Sequence, residues 1–179
     1  VLGLYLSVWP EQIRFGRRQY GKPFIESPWR SGVEFNLSHS RERMLLAISP
    51  EPVGVDLEPV TDGRDCLGLA ERFFAPAEFE QVRGRTQTEA PRTFTKIWVR
   101  KEAFVKGVGK GLHMGLKSFV VSADPAETHV QVDPACKAGD GQIVVPMVQP
   151  WEGFFAAIAM PHHLTLAYYE WNHTLCRIH

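Results

Sequence analysis

The sequence predicts an α+β fold with a largely antiparallel sheet. Three observations carry this. Apolar and polar residues alternate in runs between Val33 and Glu58, as half-buried strands require. Residues 65 to 107 carry helical signals, among them an Asp that can cap and a Pro that can open a helix. From Ser118 onward short apolar runs return, separated by Pro, Gly and Asp. Strands, then helices, then strands is the chain order of an α+β domain.

In order, Val1–Val8 reads as the tail of an apolar helix with no cap residue before it, and the sequence is expected to be a shortened form of a longer chain. Glu11–Phe15 reads as a short strand. Gln19–Phe24 reads as a turn, with Gly21 and Pro23 bracketing Lys22. Val33–Leu37 alternates as a strand and ends in Ser38-His39-Ser40, with Arg43–Ser49 as its antiparallel partner. Val53–Glu58 alternates again. Val53, Val55 and Leu57 face one way, and Gly54, Asp56 and Glu58 the other. Pro59 ends that strand.

Asp65 is placed to cap a helix over Cys66–Phe74, Pro76 to open another, and Thr93–Val108 to form a third, after a polar linker from Gly84 to Pro91. Glycines 107, 109, 111 and 115 make a flexible connection. Strands are expected at Ser118–Ser122, His129–Val132, Ile143–Val148, Phe154–Met160 and Leu164–Trp171.

The chain has 179 residues, 44% hydrophobic and 22% charged, with a formal net charge of +0. That is an ordinary globular composition. Balanced charge gives no basis for non-specific nucleic-acid or membrane-surface binding. No apolar run approaches the roughly 20 residues of a membrane-spanning helix, and no leader peptide is read at the start. Cys66, Cys136 and Cys176 are odd in number and lack a CxxC spacing, which argues against a zinc site or disulfide framework and for a reducing, cytoplasmic setting. His162, His163, His173 and His179 have no metal spacing and read as surface or strand-end residues.

Three stretches carry candidate chemistry. In Trp98-Val99-Arg100-Lys101-Glu102-Ala103-Phe104-Val105-Lys106, the residues Trp98, Glu102 and Lys106 share one helix face. A solvated Glu–Lys pair is the plain alternative. On the strand, Asp56 and Glu58 stand about 7 Å apart on one face, and with Glu102 they make three carboxylates that could meet at a sheet–helix junction. Such hard oxygen donors suit Mg²⁺, and carboxylates gathered together repel unless something positive sits among them. A solvated strand face is again the alternative. Ser38 and His39 at a strand end could bind phosphate. As neighbours on a strand they point to opposite faces, which argues against a nucleophile–base pair, and no G-x-S-x-G elbow is present. The glycines at 107 to 115 match neither a P-loop nor a dinucleotide fingerprint.

Taken in order, Phe35-Asn36-Leu37-Ser38-His39-Ser40, Gly54-Val55-Asp56-Leu57-Glu58 and Trp98 to Lys106 resemble the signature of the Sfp-type 4′-phosphopantetheinyl transferases. Tyr20-Gly21-Lys22-Pro23, Arg72-Phe73-Phe74 with Glu78, and Gly109-Lys110-Gly111-Leu112 fit the same pattern. The resemblance implies a pseudo-twofold pair of α+β subdomains with coenzyme A between them. It implies transfer of the 4′-phosphopantetheine arm of coenzyme A to a serine of an apo acyl or peptidyl carrier protein, with adenosine 3′,5′-bisphosphate released. It implies Asp56, Glu58 and Glu102 as Mg²⁺ ligands and Lys101 and Lys106 as phosphate contacts. Lys22, Ser38 and His39 are implied at the adenosine end, His39 at the 3′-phosphate. Asp56, Glu102 and Lys106 are the implied catalytic set, and the proton acceptor is left open between Glu102 and water held by the metal, with Glu78 as a possible helper. Residues 1–52 are expected to form an incomplete first half and 53–179 the metal-binding second half. A docking patch for the carrier is expected around Leu67, Leu69, Phe73 and Phe79. The rival expectation is a non-catalytic module that binds coenzyme A or the carrier without turnover.

Overall fold

A computed structural model describes residues 1–26, 32–63, 65–109, 114–133 and 143–171. Among these residues it is α+β, with four helices and antiparallel pairing of the strands. Helix α1 (Leu2–Leu6) comes first, then a 3-10 turn at Pro10–Gln12, so the strand expected from Glu11 starts only at β1 (Phe15–Arg17). Pro10 and the reciprocal bonds between Trp9 and Gln12 favour the turn locally. Gly21, at φ 84°, turns the chain into β2 (Pro23–Ile25), which pairs with β1.

Strand β3 (Glu34–Ser40) runs through Ser38 and His39 instead of ending before them, and pairs with β4 (Arg43–Ser49). Strand β5 (Gly54–Pro59) pairs with β10 (Phe154–Pro161), which also pairs with β8 (Ile143–Val144) and β9 (Met147–Val148). Strands β6 (Phe119–Val120) and β7 (Gln131–Val132) form a separate short pair. Leu164–Trp171 forms no strand. Leu164 and Leu166 pack on the core, but none of the described strands takes up the segment's backbone.

Between the sheets lie α2 (Cys66–Phe73), α3 (Pro76–Arg83) and α4 (Ala90–Val108). Asp65 caps α2 through its carboxylate to the Gly68 N–H, and Pro76 opens α3. Helix α4 starts three residues earlier than expected, because Pro91 sits in its first turn and costs no hydrogen bond there. Gly109, at φ 73°, ends it.

The main core lies between these helices and one face of β5 and β10, built on Phe74, Phe94, Ile97, Phe104, Phe119 and Phe155. A second core covers the opposite face with Val53, Val55, Ile158 and Met160, closed by Leu45 and Ala47 of β4. One feature of this packing sets up the site. A Cβ on Gly54 would collide with the Ala103 carbonyl and the Gly107 backbone, so α4 lies directly on β5. Ala157 and Ala159, both buried, keep the neighbouring strand equally low.

Of the four residues expected to form a docking patch, only Leu67 is well exposed; Leu69, Phe73 and Phe79 pack against the main core. His162 and His163 are exposed. Lys110, Gly111, Leu112, Cys136, Cys176, His173 and His179 lie outside the described residues.

Candidate active site

A cavity of about 530 Å³ opens where the β3–β4 hairpin meets β5 and α4, and its wall includes Ser38, His39, Asp56, Glu58, Glu102 and Lys106. Leu37, Phe73, Trp98 and Leu116 form its apolar side. Trp98 is held by stacking on Phe94 at 5.6 Å and by the edge of Phe73 at 5.8 Å. The strand and helix alternations bring these groups together. Asp56 and Glu58 share the β5 face under α4, and Glu102 and Lys106 are one turn apart on α4.

Lys106 Nζ meets Asp56 Oδ1 at 2.6 Å and donates more weakly to Ser38 Oγ and the Val55 carbonyl, both at 3.3 Å. Ser38 Oγ also donates to Asp56 Oδ1 at 3.1 Å. Asp56 Oδ2 is buried and has no hydrogen-bond partner, an arrangement that costs free energy unless a ligand satisfies it. Burial pushes the Glu102 carboxyl above the usual range. Asp56 and then Glu58 add to this, with Lys106 opposing. His39 is exposed on the outer side of β3 at the cavity rim, while Ser38 points inward.

Three residues expected at the site are elsewhere. Lys101 is fully enclosed. Its ammonium meets Glu78 Oε2 at 2.8 Å and donates to the Leu116 and Phe119 carbonyls at 2.7 Å each. All three N–H groups are spent inside the core, which withdraws the phosphate contact expected of it. Glu78 is equally enclosed, accepting from the Ala75 and Val121 N–H groups, so it cannot reach a proton in the cavity. Burial pushes the Glu78 carboxyl up and the Lys101 ammonium down, each opposed by its partner. Lys22 is not on the cavity wall. It donates to the Val53 carbonyl at 2.9 Å and the Gly107 carbonyl at 3.2 Å, and burial depresses its ammonium.

The donors on the wall match a hard divalent cation in type: three carboxylates on one cavity, one with an orphaned buried oxygen and one with its proton affinity raised by burial and then by the other two. Among the described residues no three His, Cys, Asp or Glu side chains converge tightly enough to hold an ion in this arrangement, in which Lys106 holds one oxygen of Asp56.

Residues 52–138 match the model of the 4′-phosphopantetheinyl transferase superfamily. That stretch of the chain belongs to the superfamily. It is 35% identical over 124 residues to a 4′-phosphopantetheinyl transferase of Bacillus subtilis, covering 69% of this chain and 53% of that protein. It is 36% identical over 138 residues to 4′-phosphopantetheinyl transferase HetI of Nostoc sp., covering 75% and 58%. It is 37% identical over 112 residues to 4′-phosphopantetheinyl transferase Sfp of Bacillus subtilis strain 168, covering 61% and 47%. The chain thus spans about half the length of these relatives. The matched region contains Asp56, Glu58, Glu102 and Lys106, and also the enclosed Glu78 and Lys101. Nothing in the sequence marked Glu78 and Lys101 as partners; a Lys adjacent to Glu102 on α4 must face a different side of the helix, and that was the available signal.

Proposed function

We propose that this chain carries the reaction cavity of a Mg²⁺-dependent 4′-phosphopantetheinyl transfer from coenzyme A to a serine of an apo acyl or peptidyl carrier protein. The observation that carries the reading is the cavity wall itself. Asp56, Glu58, Glu102 and Lys106 stand together with Ser38 and His39, beside an apolar side built on Phe73 and Trp98.

Asp56, Glu58 and Glu102 would hold the Mg²⁺, whose part is to neutralise charge on the coenzyme A pyrophosphate. Lys106, free to exchange its long contacts with Ser38 and Val55 for phosphate oxygens, adds a second positive charge at the same place. His39, at the exposed rim, is assigned to the 3′-phosphate. Ser38, pinned to Asp56, fixes the wall beside it. Lys22 braces β5 against the end of α4 and so shapes the adenosine side without lining the cavity.

In the step itself the carrier serine oxygen attacks the phosphorus that bears the pantetheine arm. The new P–O bond forms as the bond to the bridging oxygen breaks. That oxygen leaves with adenosine 3′,5′-bisphosphate, and the serine proton passes to a carboxylate. Glu102 is the carboxylate assigned to take it, since it stands on the cavity wall one helical turn from Lys106. No nucleophile is needed from this chain.

The test mixes the protein with an apo carrier, coenzyme A and Mg²⁺ and weighs the carrier. A gain of about 340 Da, the mass of the added group as a covalent modification, is expected. Coenzyme A binding without any gain contradicts transfer and favours a binding module.

A further inference from the structure

Strand β5 uses one edge to pair with β10, and none of the described strands pairs with its other edge. That free edge is nevertheless closed, group by group, by side chains. The Val53 carbonyl accepts from Lys22 Nζ, and the Val55 N–H donates to Asn36 Oδ1 at 2.8 Å. The Val55 carbonyl accepts from Lys106 Nζ, and the Leu57 N–H donates to Ser38 Oγ at 3.2 Å. Asn36 and Ser38 are alternate, inward-facing residues of β3, and Val55 and Leu57 are alternate residues of β5. Side chains here replace a sheet ladder. Buried backbone groups need partners, and at this seam they come from Lys22 and from residues of β3 and α4, two of which, Ser38 and Lys106, also hold Asp56.

We infer that Asn36 is a positioning residue for Asp56. Asp56 lies between the two pinned N–H groups, and its own Oδ1 is held by Ser38 and Lys106. Asn36 is 5% exposed and absent from the cavity wall, so it touches no ligand there. It fixes the residue before Asp56, as Ser38 fixes the residue after it. The direction in which the unpartnered Asp56 Oδ2 points is then set by two side chains of β3 as well as by β5 itself.

The kinetic part of this inference rests on the proposed transfer reaction; the structural part does not. The test compares Asn36→Leu, which keeps the volume and removes the acceptor, with Asn36→Asp, which keeps an acceptor oxygen. In Asn36→Leu, kcat for transfer falls on the order of tenfold to a hundredfold, the effect of a misplaced catalytic group. The KM for coenzyme A stays within about twofold, because no binding contact is lost. Asn36→Asp recovers most of the rate. A reading that needs no turnover runs alongside, the acylation rate of Lys106 against that of the exposed Lys117. Lys106 acylation rises severalfold in Asn36→Leu and stays at the wild-type value in Asn36→Asp. Wild-type kcat and wild-type Lys106 acylation in a folded Asn36→Leu overturn the inference. Should the wild-type chain transfer nothing, the function falls alone and the acylation rates still decide the seam. Should Asn36→Leu fail to fold, Asn36→Asp carries the test. Wild-type acylation and transfer in Asn36→Asp support the inference, and raised Lys106 acylation with lost transfer at an unchanged Tm overturns it.

Discussion

Two lysine–carboxylate pairs sit on the same helix and differ in how completely they are satisfied. Lys101 meets Glu78 at 2.8 Å with both side chains 0% exposed. Lys106 meets Asp56 at 2.6 Å, with the lysine 30% and the aspartate 6% exposed. Around the first pair every donor is used and both Glu78 oxygens accept, so the node ties α3, α4 and β6 together. Around the second, Asp56 Oδ2 has no partner and two of the Lys106 contacts are long. Distance alone does not separate a structural pair from a reactive one. Saturation does. A closed polar network holds shape, whereas an open one at a cavity keeps capacity for a ligand.

The contrast breaks most visibly at the sealed pair. Glu78→Ala leaves the Lys101 charge uncompensated in the core, which costs about 3–5 kcal/mol. A thermal melt should show Tm falling by roughly 10 °C for a chain of this size. A shift under about 2 °C would mean that the node bears no load. At the open pair the loss is chemical. Asp56→Ala should cut the transfer rate by about 10³-fold and leave Tm within a few degrees, because it removes repulsion with Glu102 along with a buried oxygen that has no partner. Global unfolding of that variant would reassign Asp56 to structure. Lys106→Met should reduce transfer by about 10²-fold, with the circular dichroism spectrum unchanged.

The smallest effect is a gain. Glu102 binds its proton more tightly folded than unfolded, because of burial and the nearby Asp56. Between its ordinary and its raised value the unfolded state carries fewer protons, so stability falls as pH rises through that window. Glu102→Gln should therefore melt higher than the wild type at neutral pH. The two melting temperatures should converge as the pH drops below the ordinary carboxylate range. A Gln variant that melts lower at neutral pH would show that the ionised carboxylate is stabilised where it stands.

How much of this was legible depended on range. Strand β4, the Asp65 cap, the start of α3 at Pro76 and the in-and-out pattern of β5 all follow from local alternation or caps, and those signals are written residue by residue. The gathering of Asp56, Glu58, Glu102 and Lys106 was anticipated from their faces and from family resemblance. What was hidden depends on contacts distant in sequence. Lys101 was expected at phosphate from its place in the Trp98–Lys106 motif, yet one position around a helix turned it into the core, where Glu78 waits 23 positions earlier. Gly54 read as the polar-face member of an alternating strand, and only the closeness of Gly107 explains its missing side chain. Asn36 passed as motif filler, since its partner, the Val55 N–H, is a backbone group that no composition reveals.

The most direct measurement sets the two pairs against each other in one transfer assay. Glu78→Gln/Lys101→Met removes both enclosed charges together and keeps an acceptor oxygen at residue 78. Asp56→Ala opens the other pair. Weighing an apo carrier after incubation with coenzyme A and Mg²⁺ should show the added mass with the folded double variant at a rate within about tenfold of wild type, and at a rate about 10³-fold lower with Asp56→Ala. A folded double variant that transfers nothing, beside an Asp56→Ala variant that still transfers at the wild-type rate, would contradict the assignment of chemistry to the open pair.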